Sequence, residues 1–188
     1  MSAPSASSTP APPHIVLTER LEQATALDPV VRALRPLVAS LVDDPTRRDL
    51  LRGAWLGHAL HPILTDVPIG FWTSALVLDA VGGPEAQPAA RRLIGLGVLS
   101  FVPTALTGWA EWSTTGPREQ RIGVVHAASN GAAAALFLAS WRARRRLEHG
   151  RGKALGLAAA SALGLGGYLG GHLVSARKVS SRHPAFEA

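Results

Sequence analysis

Four of the chain's seven histidines lie beside or within long apolar stretches, where an ionisable side chain is costly and therefore informative. His58 and His61 come just before the first stretch, whereas His126 and His172 lie inside the third and the fourth. Imidazole nitrogens bind haem iron and transition metals, and they also relay protons. These four histidines are therefore the candidate functional residues.

Haem b is the first ligand that this pattern favours, in a protein of membrane electron transfer. Two neutral imidazoles on facing helices can ligate one haem iron from its two sides. His126 and His172 are the preferred pair because they should lie at equal depth below one membrane surface, His126 about five residues after the start of its stretch and His172 about five before the end of its own. His61 is the reserve ligand.

A transition-metal or proton-relay site is the second hypothesis. Imidazole and carboxylate ligands suit zinc, iron or copper, and chains of such groups also carry protons through membranes. The candidate ligands are His58, His61, Asp66 and Glu111. The third hypothesis is a structural membrane scaffold without a cofactor, in which each histidine only hydrogen-bonds across helices, for about 1 kcal/mol.

Several other classes of chemistry lack their residues in this sequence. The chain has no cysteine, which excludes disulfides, thiolate metal sites and cysteine nucleophiles. It has no Gly-x-Ser-x-Gly elbow, no phosphate-binding glycine loop and no His-Glu-x-x-His pair. We therefore expect no hydrolase or nucleotide-binding activity, and an enzymatic role is limited to that of a redox subunit. The net charge of +6 lies mostly at the ends of apolar stretches, which predicts a topological role rather than nucleic-acid binding.

The elements that position these residues are four apolar stretches of about 20 residues each, long enough to cross the bilayer as helices. They have no internal Lys or Arg, and they cover residues 62–81, 93–112, 122–141 and 154–176. The mean hydropathy of +0.16 hides them because the first part of the chain is polar and Pro-rich. The sequence therefore predicts an all-α, polytopic membrane four-helix bundle.

The rest of the chain divides into three parts. Residues 1–14 are Ser-, Ala- and Pro-rich, which predicts a disordered tail, and they contain no apolar core of a cleavable signal peptide. Residues 15–57 carry apolar positions at helical spacing between Val30 and Val42, which predicts amphipathic helices at the membrane interface. The four-helix domain then covers 58–176, and 177–188 is a C-terminal tail. We expect a multi-pass membrane protein.

Four crossings place the N-terminal segment, the second loop and the C-terminus on one side, the near side. Counting from that side predicts one layer of ionisable groups about 6–8 Å below the surface, in a bundle whose far half is apolar apart from Asp79. The expected members are His61, Asp66, Glu111, His126 and His172. Pro68 lies inside the first stretch and leaves the carbonyl of Leu64 without its usual helical donor.

The fourth stretch is rich in small residues, with Gly166/Gly170 and Gly167/Gly171 at four-residue spacing. In lipid this spacing allows close helix packing, either within the bundle, which we favour, or across a homodimer. The orientation in the membrane stays open because both sides carry eight Lys or Arg residues near the stretches.

The segment 53–79, which contains Gly57-His58-Ala59-Leu60-His61-Pro62, resembles a bacterial family of small four-helix membrane proteins catalogued as domain of unknown function 2231. The hallmark of that family is a Gly-His-Pro-Leu-His-Pro-like sequence before the first helix, and Ala59 stands where the family has Pro. The resemblance continues through 107–111, His126 and 168–172. Related chains carry the domain ahead of a Rieske iron–sulfur domain, so the resemblance implies an iron–sulfur or other redox protein as partner.

Overall fold

The computed structural model of the protein describes residues 11–181 and 183. All regular structure in that part of the chain is helical, without any strand, which confirms the all-α prediction. Turns of 3₁₀ helix connect several helices, and a π-helical turn, His172–Ala176, continues the last one. The helices are α1 (Pro13–Gln23), α2 (Asp28–Leu41), α3 (Pro45–Arg52), α4 (His61–Val81), α5 (Gln87–Trp112), α6 (Pro117–Arg145) and α7 (His149–Gly171).

Four helical segments are long and apolar enough to cross a membrane, which confirms the predicted spans. The last three begin five to nine residues before the predicted apolar stretches, and only the third also ends later, because their polar flanking residues are helical as well. The bounds of the four segments are His61–Val81, Pro84–Trp112, Pro117–Arg145 and His149–Ala176.

The four long helices α4 to α7 form one bundle, in which each helix packs against the next along the chain and α4 closes on α7. The bundle is held by an aromatic centre. The indole of Trp72 stacks on the ring of Phe137 with 4.4 Å between centroids, and both side chains are buried. The indole lies against Gly97 of α5, where any side chain would collide with it. A glycine is therefore required at this helix contact.

Helices α1, α2 and α3 pack on the near-side end of the bundle. Val31 and Val38 of α2 are buried against Trp112, whereas Leu37 of the same predicted apolar stripe is 66% exposed. Asp44 caps α3, because its side chain accepts a hydrogen bond from the backbone N–H of Arg47 at 2.7 Å. The predicted tail 1–14 falls mostly outside the described residues, although its last two residues form the first turn of α1.

The far half of the bundle contains a buried ion pair that the sequence analysis did not predict. Arg144 is fully buried, forms a two-pronged ion pair with Asp79, and also donates to Gln87 and Ser140 at 3.1 and 3.2 Å. Lys153 donates to the Asp79 carbonyl at 2.8 Å. The expectation of an apolar far half with a lone Asp79 is therefore wrong. Its physical reason is the length of α6, which carries Arg144 into the bundle instead of leaving it in a loop.

Candidate functional site: a histidine pair in the near-side cavity

A cavity of about 520 Å³ lies between α4, α5, α6 and α7 in the near half of the bundle. Its walls are mostly aromatic, aliphatic and glycine residues, with a few polar groups among them. Binding sites for small molecules commonly combine these features. The polar side chains of the lining include His61, Thr104, Glu111, His126 and Asn130.

His61, the first residue of α4, contributes one imidazole to this cavity. Its Nδ1 lies 2.9 Å from the carbonyl oxygen of Thr104 on α5. A carbonyl can only accept, so Nδ1 carries the proton, and in the neutral ring the lone pair is on Nε2. The ring packs on the backbone of Gly108, where an added Cβ would lie 2.8 Å from Cε1 of His61. Glycine at position 108 therefore makes room for the imidazole.

His126 on α6 contributes the second imidazole in the same manner. Its Nδ1 lies 2.8 Å from the carbonyl oxygen of Gly166 on α7, which again places the lone pair on Nε2. The ring packs on Gly170, where an added Cβ would lie 2.8 Å from its Cε1. The side-chain amide nitrogen of Asn130, one helical turn further along α6, lies 3.2 Å from Nε2. Asn130 is thus the present hydrogen-bond donor to His126.

The two imidazoles lie against each other across the cavity. Their ring centroids are 6.4 Å apart and the ring planes are nearly perpendicular, at 83°. With metal–nitrogen bonds of about 2 Å, this separation is large enough for one metal ion between two imidazoles. Ligating histidines usually donate their other ring N–H to a backbone carbonyl or carboxylate, and both His61 and His126 do so here.

Pro68 shapes the same region of α4. Pro68 has no backbone N–H that could donate to the Leu64 carbonyl. That carbonyl instead accepts a hydrogen bond from the Thr104 hydroxyl at 3.1 Å. Thr104 therefore joins α4 to α5 twice, because its own carbonyl accepts from His61. The loosened helical turn is thus satisfied by the residue that orients the imidazole.

Glu111, near the end of α5, is only 5% exposed and lines the cavity. Its Oε2 accepts a hydrogen bond from the backbone N–H of Ser181 at 2.7 Å, which holds the C-terminal segment over the near-side end. Its Oε1 is buried without a hydrogen-bond partner among the described residues. A buried carboxylate oxygen without a donor is costly, and such a group in a cavity is a recognised sign of a functional position.

His172 does not lie in the cavity lining, in contrast to the expected pairing with His126. Its Nε2 lies 2.6 Å from Oε1 of Glu22 on α1, and Arg177 pairs with the same carboxylate. Gly166 and Gly170 present one face of α7 to His126. Two further residues rotate the chain by about 200°, so position 172 points away from that face. The face of α7 that carries Tyr168 and His172 is therefore turned towards α1.

The Glu22 carboxylate is the electrostatic centre of this contact between α1 and α7. Burial alone would raise its pKa, but hydrogen bonds from Arg177 and His172 outweigh burial and hold the pKa below its ordinary value. Glu22 also raises the pKa of the Arg177 guanidinium. Both groups are therefore charged near neutral pH. Glu22 was not among the predicted residues because it lies in α1, outside the apolar stretches from which the candidate groups were chosen.

Two further predicted ligands lie outside the cavity. His58 is exposed in the turn before α4, where Nδ1 makes only a 3.3 Å contact with the neighbouring carbonyl of Ala59. Asp66 lies on an exposed face of α4. Within the described residues, no three His, Asp or Glu side chains form a group that could hold a metal ion. The predicted layer is thus divided among the cavity, the α1 contact and the outer surface.

The comparison with protein families agrees with this architecture. The family described as "Predicted membrane protein (DUF2231)" matches residues 57–183, which include all four long helices and the cavity. The chain is a member of this family. No curated protein and no solved structure matches it. The family membership supports an integral membrane protein and carries no assigned activity.

In this family member, several residues of the site carried only weak sequence signals. Asn130 shares a helical face with His126, and that spacing predicts an inward direction but not a contact with Nε2. Gly108 and Gly170 look like ordinary small residues of membrane helices. Only their depth in the bundle distinguishes them, because Gly108 lies level with His61 and Gly170 lies level with His126 on a neighbouring helix.

Proposed function

We propose that the near-side cavity binds haem b and that the protein carries electrons within the membrane. His61 and His126 would hold the haem iron in this proposal, so His61 takes the place that was predicted from the sequence for His172. The observation that carries the proposal is the pair of imidazoles across one cavity, each with Nδ1 held by a backbone carbonyl. A bound haem iron would supply a one-electron carrier.

The residues around the pair support a flat, apolar ligand. The cavity volume of about 520 Å³ is in the range of small-molecule and cofactor sites. Gly131 and Gly167 line it without any atom within 4 Å of an added Cβ, so these backbones leave room for a ring system. Asn130 has to release Nε2 of His126 before that atom can ligate. The Thr104 and Gly166 carbonyls would keep both rings in the ligating tautomer.

The setting of the proposed function is the bacterial cytoplasmic membrane, with an iron–sulfur or other redox protein as electron partner at the near side. A homodimer is not part of the proposal. Gly166 and Gly170 of the small-residue face already contact Asn130 and His126 inside the chain, so their packing does not call for a second copy.

The visible spectrum of the protein, purified in detergent from cells supplied with haem, tests this function. We expect a Soret band, and a sharpened absorption after reduction that is typical of two histidine ligands. His61→Ala and His126→Ala should each abolish the band, whereas the matched variants His58→Ala and His172→Ala should keep it.

Three outcomes would count against the proposal. A colourless protein, even after reconstitution with haem, would leave a structural scaffold as the better interpretation. Loss of the band in His172→Ala but not in His61→Ala would restore the pair predicted from the sequence. A colourless protein that retains zinc, iron or copper in elemental analysis would favour the metal hypothesis.

A further inference from the structure

A second, smaller pocket of about 300 Å³ lies at the near side, between α2, α3 and the adjoining ends of α5 and α6. Its apolar part is formed by Val38, Val42 and Trp112, of which Val38 and Trp112 are buried. Two guanidinium groups, from Arg35 on α2 and Arg52 on α3, line the same pocket. The pocket therefore combines an apolar floor with concentrated positive charge.

Neutral acceptors hold both guanidinium groups in place. Arg35 donates from Nε and Nη2 to Oε1 of Gln120, at 3.1 and 2.7 Å. Arg52 donates from Nη2 to the Ser113 hydroxyl at 2.8 Å and from Nε to the Ala110 carbonyl at 3.3 Å. These contacts orient the side chains without neutralising them.

Within the described residues, no carboxylate lies within ion-pair distance of either arginine. Two carboxylates interact with them electrostatically at longer range, Asp28 with Arg35 and Glu111 with Arg52, but Asp28 pairs with Arg121 and Glu111 accepts from Ser181. The pocket therefore keeps two positive charges without a direct ion pair in the described part of the chain.

Other arginines of the same region differ in this respect. Arg47 and Arg48 of α3 pair with Asp43 and Asp49 at the exposed surface. They carry the same charge on the same helix as Arg52 but line neither cavity. They are thus matched controls for a general effect of surface charge.

The support beneath Arg35 is rigid. Gln120 is only 5% exposed, and its backbone carbonyl accepts a hydrogen bond from the Trp112 indole at 3.0 Å. Preorganised guanidinium groups with free N–H donors favour oxyanions, above all phosphate and carboxylate. Trp112 ends α5, so the pocket lies at the end of two spans, where lipid phosphate groups are found.

We propose that Arg35 and Arg52 form a binding site for a phosphate ester, with the apolar part of the ligand resting on Val38 and Trp112. The shared chemistry is a phosphate oxyanion, supplied either by an anionic lipid headgroup or by a soluble phosphate compound. The site is separate from the histidine pair and does not depend on haem.

Binding of phosphatidylglycerol to the full chain in neutral detergent, measured by native mass spectrometry, tests the proposal, with phosphatidylcholine as the reference lipid. Arg35→Gln/Arg52→Gln removes both charges and should weaken phosphatidylglycerol binding by about tenfold or more. Arg47→Gln/Arg48→Gln makes the same change in net charge and should bind as the unchanged protein does. Helical content by circular dichroism shows whether each variant is folded.

A second measurement uses the unchanged protein, so it does not rely on a variant that folds. Inorganic phosphate should raise the thermal midpoint above that in chloride of equal ionic strength if the source is soluble. A midpoint insensitive to phosphate, together with preferential binding of phosphatidylglycerol, identifies a headgroup site. No preference for phosphatidylglycerol and no effect of phosphate overturns the proposal. Equal losses in the two double variants also overturn it, since binding would then reflect surface charge alone.

Discussion

The two halves of the bundle differ in how their buried charged groups are paired. In the far half, Arg144 is fully buried, yet it pairs with Asp79 and bonds to Gln87 and Ser140. In the near half, Oε1 of Glu111 is buried without a partner among the described residues, beside a cavity of about 520 Å³. The buried charges of the far half are thus paired, although Nδ1 of His149 at the start of α7 is also buried without a partner in that part of the chain, whereas the near half keeps an open cavity and an unpartnered carboxylate oxygen.

This difference indicates that the far half contributes mainly to stability and that the near half has the features of a binding site. A site that binds a ligand must keep space and unsatisfied groups, both of which reduce stability. The stacked Trp72 and Phe137 rings lie between the halves, because Trp72 belongs both to the aromatic core and to the cavity lining. Changes in the far half should therefore alter stability with little effect on the site, and changes in the near half should do the reverse.

Arg144→Met gives the largest expected effect. It leaves the Asp79 carboxylate, whose side chain is 9% exposed, without its main partner. Removing one member of a buried ion pair typically costs about 3–5 kcal/mol, which we expect as the loss in free energy of unfolding in detergent. Chemical denaturation followed by circular dichroism measures this loss.

The double variant Arg144→Met/Asp79→Leu is the control for that experiment. Replacing both members of a buried pair by apolar residues is often neutral, so most of the lost stability should return. If the double variant is as unstable as the single one, the far-half ion pair is not the cause. Ligand binding by the folded fraction should be unchanged in both.

Gly131→Leu tests the near half by filling its cavity. An added side chain at Gly131 meets no atom within 4 Å at its Cβ and would occupy the cavity beside His126. We expect haem binding to be lost while thermal stability is kept, because Leu also has the higher helix propensity by up to about 1 kcal/mol. Gly164→Leu adds the same bulk to α7 at an open position outside the cavity lining and should keep haem. A Gly131→Leu protein with full haem content would contradict the assignment of the cavity.

Glu111→Gln has a smaller expected effect, of opposite sign to that of Arg144→Met. Gln keeps an oxygen for the Ser181 amide and replaces a carboxylate whose second oxygen has no partner among residues 11–181 and 183. We expect the free energy of unfolding to rise by about 1 kcal/mol at neutral pH. Glu85→Gln, at an exposed position, should change it by less than about 0.5 kcal/mol. A destabilised Glu111→Gln protein would mean that the near half depends on this charge for its structure.

The sequence predicted the spans well because hydropathy and length constrain a membrane helix directly. It also predicted that Pro68 would free the Leu64 carbonyl, although the Thr104 hydroxyl that satisfies it was not foreseen. The site was harder to predict because equal depth does not specify direction around a helix. His126 and His172 lie near the same end of the bundle, but only His126 lines the cavity. The far-half ion pair was missed because Arg144 follows an apolar stretch and resembles a loop residue.

The contact between α1 and α7 gives the smallest and most local prediction. Glu22 holds His172 and Arg177, and its pKa lies below the ordinary value because their hydrogen bonds outweigh the effect of burial. A carboxylate with a lowered pKa stabilises the folded contact above its unfolded pKa and loses that contribution as pH falls through the lowered value. We therefore expect α1 to remain docked at neutral pH and to detach in acid, while the four-helix bundle stays folded.

A spin label on Leu17→Cys measures this detachment, since the chain has no other cysteine and Leu17 is 59% exposed. The label should be restricted at neutral pH and become mobile as pH falls below the lowered pKa of Glu22. Glu22→Gln should give a mobile label that is insensitive to acid, whereas Glu19→Gln, exposed on the same helix, should keep the transition. An acid transition that survives in Glu22→Gln would assign it to another group. A restricted label at all pH values would show that apolar packing, rather than this carboxylate, fixes α1 to the near half.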